Sequence, residues 1–128
     1  MGVSLYPPPT APAPAPVTVT SGLTPATNFS VNSFFATKMG GVCTISTSIK
    51  TTNGISTSAS APFNIADTTV ATLPSGWRPR ATVTAIFSTG YADGEADIRT
   101  DGSIILRTTN TYPIDPGGDF LVSATFVL

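Results

Sequence analysis

The stretch EADIRTDGSIILRT, Glu95 to Thr108, decides the fold. Asp101-Gly102 is a turn signal set between two runs in which apolar residues alternate with polar ones. A two-residue turn at Asp101-Gly102 would pair Ile98 with Ile105 and leave Leu106 facing Asp97. A three-residue loop, Thr100 to Gly102 with Gly102 left-handed, pairs Ile98 with Ile104 and Ala96 with Leu106. Only the second register gathers the apolar residues on one face and puts Asp97, Arg99 and Arg107 on the other. The stretch therefore reads as a half-buried β-hairpin with a three-residue loop.

The same period of two recurs on both sides. In RATVTAIFS, Val83, Ala85 and Phe87 share a face. In GDFLVSATFVL, Phe120, Val122, Ala124, Phe126 and Leu128 alternate cleanly, so this strand belongs inside a sheet and loss of its last three residues is expected to unfold the domain. NFSVNSFFATKMGGVCTISTSIKTTN reads as a longer hairpin turning at Met39-Gly40-Gly41, with Cys43, Ile45 and Ile49 on the core side and Thr44, Ser46 and Ser48 opposite. VTVT from Val17 is a short strand, and another is expected near Thr69 to Leu73. The segment between residues 54 and 68 reads as irregular.

Composition agrees with strands. Ser and Thr are the dominant residue types, while Lys, Glu and Leu, the usual helix builders, are scarce, which excludes a helical bundle. A chain of 128 residues suffices for one domain with a modest core. With 6 basic against 7 acidic residues there is no basic excess, so no nucleic-acid partner is expected. So low a charge favours life in a permanent assembly. No apolar run approaches membrane-spanning length, and the N-terminus lacks the charged and apolar regions of a secretory signal. The single cysteine, Cys43, rules out an intrachain disulfide framework and suits synthesis in a reducing cytoplasm.

Residues 7 to 16, PPPTAPAPAP, form a low-complexity segment with prolines at Pro7, Pro8, Pro9, Pro12, Pro14 and Pro16. Proline fixes φ and removes a hydrogen-bond donor, so the segment is expected to be extended and polyproline-like, reaching about 3 Å per residue. It reads either as a free tail or, the reading adopted, as an arm that docks in a groove of a neighbouring protein. The expected division is residues 1–29 as an extended arm and lead-in and residues 30–128 as a β-sandwich domain.

Between two strands lies LPSGWRPR, Leu73 to Arg80, with the only tryptophan and two of the basic residues. As a structural corner, Pro74-Ser75-Gly76 turns the chain and Gly76 supplies a backbone angle that other residues resist. Pro79 would then sit at the edge or start of the next strand, and Trp77 would cover the end of the sandwich. The alternative is an anion or sugar platform made by Trp77 and the arginines.

Taken together, LPSGWRPRATVTAIFS, EADIRTDGSIIL and GGDFLVSATFVL resemble the C-terminal half of the head domains found in tail fibres and baseplate receptor-binding proteins of tailed bacteriophages. The resemblance is carried by Leu73, Pro74, Gly76, Trp77, Arg78, Pro79, Ile98, Asp101, Gly102, Ile104, Leu106 and Phe120. ATKMGGVCTISTSI, Ala36 to Ile49, is similar to the strand pair with which such domains begin. The similarity covers roughly residues 30 to 128 and lies in structural residues. It implies an antiparallel β-sandwich that forms homotrimers on a phage virion, assembled in the host bacterial cytoplasm. It also implies a tail or baseplate role that includes contact with a host cell-surface glycan. Such proteins usually carry an attachment domain and a stalk before the head, whereas about 25 residues precede the sandwich here. That departure raises the alternative of a capsid-decoration protein anchored to other virion proteins by the arm.

Catalytic signals are weak, and an enzyme is not expected. There is no histidine, the cysteine is placed in the core, and no Gly-x-Ser-x-Gly elbow is present. The acidic run DGEAD, Asp93 to Asp97, reads as solvated charge, with a Ca²⁺ site as the alternative. Alternate carboxylates on a strand splay along a face and do not converge, so no metal and no cofactor are expected. For host contact the expected residues are Trp77, Arg78, Tyr91, Asp93 and Glu95, in loops at one end of the sandwich.

Overall fold

A computed structural model of the chain describes residues 2–3 and 6–128; Met1, Ser4 and Leu5, at the start of the expected arm, lie outside the described residues. The described residues contain no helix and form nine strands: β1 Val17–Val19, β2 Thr24–Pro25, β3 Phe29–Met39, β4 Val42–Thr51, β5 Thr68–Thr72, β6 Val83–Ser88, β7 Asp93–Ile98, β8 Ser103–Leu106 and β9 Asp119–Val127. All pair antiparallel in the order β1-β3-β4-β9-β6-β7-β8-β5-β2. The expected all-β antiparallel class is found. The two-sheet sandwich is not what the hydrogen bonds describe: they run through one sheet, curled into a half-barrel.

The hairpin that decides the fold has its expected register, with Ala96 opposite Leu106 and Ile98 opposite Ile104. Its loop closes through Arg99 N–H to Ser103 O at 2.9 Å and Gly102 N–H to Arg99 O at 2.8 Å, with Gly102 at φ +89°. The long hairpin β3–β4 turns on Gly40-Gly41, with Met39 opposite Val42. Cys43, Ile45 and Ile49 are fully buried as expected, and Thr47 and Thr51 join them on that face. Thr47 is tolerated there because its hydroxyl donates to the Ser33 carbonyl oxygen at 2.8 Å.

The curl has a narrow seam. β4 and β9 pair over nine positions, from Val42↔Val127 to Lys50↔Asp119, while β9 and β6 pair only at Phe87↔Val122 and Ser88↔Leu121. Beyond those two pairs the ladder stops, the chain ahead of β6 returns to β9 only through Arg80 N–H to Val127 O, and both halves of the sheet face a single core. Phe87 and Phe120 meet edge to face across the seam at 6.0 Å, and Phe29 adds a second such contact to Phe120 at 6.3 Å. Phe34, Ile45 and Val122 from one half share the core with Val70, Leu73, Ile98 and Leu106 from the other.

Antiparallel pairing gives the half-barrel two distinct ends. One end collects the Gly40-Gly41 turn, the Thr100–Gly102 loop, the Leu73–Arg80 corner and the end of β9. They are joined by Leu73 N–H to Gly102 O at 2.8 Å, Arg80 N–H to Val127 O at 2.9 Å and Leu128 N–H to Gly41 O at 2.9 Å. The opposite end collects the loops at residues 51–55, 89–92 and 108–118, with Ile55 and Ile114 exchanging backbone bonds of 2.7 and 2.9 Å. Residues 7–16 have no regular secondary structure and are exposed, and they enter the sheet at Val17, at the corner end.

Candidate contact surface

The corner is a joint between the halves of the sheet. Trp77 N–H bonds Pro74 O at 3.2 Å and Gly76 has φ +83°, the left-handed angle that the turn requires. Trp77 is only 7 % exposed, buried in the core cluster. Lys38, from β3, lies over its ring at 4.4 Å from the centroid and donates to Gly76 O at 2.8 Å. Arg78 turns its Nε to Leu73 O at 3.0 Å, against the hairpin loop at Gly102. Pro79 is buried and lies four residues ahead of β6, so it ends the corner and does not begin the strand. An indole covered by its own protein's lysine has no open face for a ligand.

Tyr91 and Asp93 sit at the other end. β7 separates them from the corner by about 17 Å, at roughly 3.4 Å per residue. The structure therefore does not bring Trp77 and Arg78 together with Tyr91 and Asp93. Glu95 lies between, exposed on the outer face of β7, where its backbone N–H bonds the Thr108 hydroxyl at 3.0 Å.

Around Tyr91 there is a built polar cluster. Its phenol donates to Asp115 Oδ2 at 3.2 Å and accepts the Asp115 N–H at 3.3 Å. Asn110 ties the loop from both sides, donating through Nδ2 to Tyr91 O at 3.0 Å and accepting Asp93 N–H at 3.2 Å. Asp93 also accepts from Ser88 Oγ. Asn110 and Asp115 were missed by sequence reasoning; their only signal was the turn-forming character of NTYPIDPGG.

The two aspartates of the acidic run are separately engaged, Asp93 by Ser88 and Asp97 by a different pair of side chains. Asp97 is held by Arg107 Nη1 at 2.6 Å and by Thr84 Oγ1 at 3.0 Å, and Arg107 reaches Asp67 through Nε at 2.8 Å. Those two carboxylates raise the guanidinium's already high pKa. Among the described residues, no three metal-binding side chains converge. Burial pushes the Cys43 thiol above its usual range, partly opposed by Lys38.

At the same end as Tyr91, a cleft of about 470 Å³ opens between β3, β5 and the 51–55 loop. Asn28, Asn53, Thr27, Thr68 and Thr69 line it beside Phe29, and no charged side chain does. Amides and hydroxyls beside an aromatic ring suit a neutral, hydroxyl-rich ligand. Sequence reading passed over these residues because they come from three separate segments. In comparison with known proteins, the chain matches no family model and no curated protein.

Proposed function

We propose that this chain is a non-enzymatic structural protein of a tailed-phage virion, a small tail or baseplate component that forms a homotrimer of sandwich-like head domains and contacts a host surface glycan. The observation that carries the reading is the division of the half-barrel into two unlike ends. The corner end bears the proline-rich arm and a run of exposed apolar side chains, Val17, Met39, Val42 and Val127, which suits attachment to other proteins. The far end bears the neutral cleft and the Tyr91–Asp93–Asn110–Asp115 cluster, which suits a sugar. Between them the outer face of β3, β4 and β9 is a hydroxyl lattice. Thr44 and Thr125 meet at 2.8 Å, Ser46 and Ser123 at 3.2 Å, and Thr18 and Thr37 at 3.3 Å, an uncharged patch for packing copies, with Lys50 and Asp119 at its far-end margin.

The attachment end serves equally well for a capsid-decoration protein, in which the arm clamps the shell. Immunogold labelling of intact particles with an antibody to residues 30–128 separates the two. Gold at the tail tip is the expected result, and gold over the head makes this a decoration protein. Particles without label, from a host lysate that blots positive, would remove the virion reading altogether.

A further inference from the structure

We infer that the corner end carries a receptor strip for the proline-rich arm of a second copy of this chain, so that copies are linked by arm exchange. The inference rests on the homotrimer proposed above and specifies its partner surfaces. Between the two-pair seam of β6 and β9 and the Arg80–Val127 backbone bond, a groove of about 360 Å³ opens, lined by Arg80, Ala81, Val83, Phe126 and Val127. Val127 pairs with Val42, which pairs with Met39, so the apolar strip continues across three strands. It ends in a smaller hollow of about 240 Å³ that includes Met39, Val42 and Pro16, the root of the arm itself. Val127, Met39 and Val42 are 56 %, 55 % and 45 % exposed, so three adjoining apolar side chains stand open to a partner.

The arm has the matching chemistry. Residues 7–16 consist of proline, alanine and one threonine, without charge, and all of them are exposed. A polyproline segment cannot add a strand to a sheet, because it lacks donors. It offers apolar ring faces and unpaired carbonyls, and it docks in apolar grooves at little entropic cost because its shape is preset. Arg80 stands at the groove with a guanidinium that makes no hydrogen bond or ion pair to any described residue, so its donors are available to those carbonyls.

The geometry favours a neighbour's strip over the chain's own. β1 runs antiparallel to β3, with Val17 opposite Lys38, so the chain preceding Val17 is directed off the corner end, past the Gly40-Gly41 turn. Folding back would need a sharp bend within Pro12-Ala13-Pro14-Ala15-Pro16. There each proline fixes its own φ and holds the preceding residue extended. Arm on strip is a head-to-tail contact, and in a trimer three such contacts close a ring.

The test uses two full-length versions of the chain with different tags, co-expressed. One carries Ala11→Cys labelled with a benzophenone maleimide; the buried Cys43 stays unlabelled. Irradiation is expected to join Ala11→Cys to residues 80–83 or 126–127 of the differently tagged copy, mapped by mass spectrometry, and Val127→Asp is expected to suppress that product. Deletion of residues 2–16 should weaken self-association roughly tenfold or more in sedimentation equilibrium. Cross-links within one chain, or a trimer unchanged by the deletion and lacking the cross-link, overturn arm exchange and leave the trimer standing. A full-length chain that sediments as a monomer at every concentration overturns the trimer and the exchange together.

Discussion

Trp77 couples three elements through one side chain. Its ring fills the core at the corner, Lys38 covers the ring, and its backbone N–H closes the turn at Pro74. Trp77→Ala should therefore act on stability. Removing a buried indole typically costs about 3–5 kcal/mol, and here the loss also frees Lys38 from its ring contact. Thermal unfolding should show a lowered midpoint, while the glycan binding proposed for the far end, measured per folded molecule, should stay unchanged. A variant of wild-type stability that had lost glycan binding would restore the ligand-platform reading. The tryptophan was visible in the sequence as part of a corner, but its availability was not. Burial of Trp77 depends on Lys38, which lies far away in the chain and meets it only after the sheet curls.

At the scale of elements, the β7–β8 hairpin has a pH-dependent lock. The Asp101 carboxylate accepts Ser103 Oγ–H at 2.6 Å and Ser103 N–H at 2.9 Å, and these bonds hold it below the ordinary carboxylate range. A pKa that is lower in the folded than in the unfolded chain contributes stability above the unfolded value, near 3.9 for aspartate, and loses it as pH falls through the folded value. Asp101→Asn should lower the unfolding midpoint slightly at neutral pH, because the group is exposed and screened. The gap from wild type should close as pH falls below about 4, the unfolded aspartate value. Melting curves between neutral pH and pH 2.5 check this; a gap that widens on acidification contradicts the assignment. The hairpin register was legible because only one pairing placed all its apolar residues on one face. The partner strands of the hairpin were not legible, since β5 and β6 lie on either side of it for reasons of topology alone.

For the whole molecule, the two-pair seam between β6 and β9 is the place where one sheet becomes two facing halves. So short a hydrogen-bonded join holds because the halves share a core, with Phe87 and Phe120 in contact across it. The chain should then unfold in a single transition, with Trp77 fluorescence and far-ultraviolet circular dichroism coinciding in a denaturant titration. Phe87→Ala should lower the stability by about 3–5 kcal/mol while leaving one transition. Separate transitions for the two probes would mean that the halves are independent units.

The amino-acid sequence by itself determined the local structure of this protein: strand alternation, the glycine turns and the hairpin loop. Each of these depends on neighbours a few residues away, through pleat parity and backbone sterics. Only the tertiary structure decided that the strands join in one curled sheet with unlike ends. It separated Trp77 and Arg78 from Tyr91 and Asp93, which the sequence had grouped, and it assembled the Asn28–Asn53 cleft from distant segments. Alternation tells which face of a strand is buried, but it carries no information about which strand lies alongside. That choice is made by the long-range packing of the shared core.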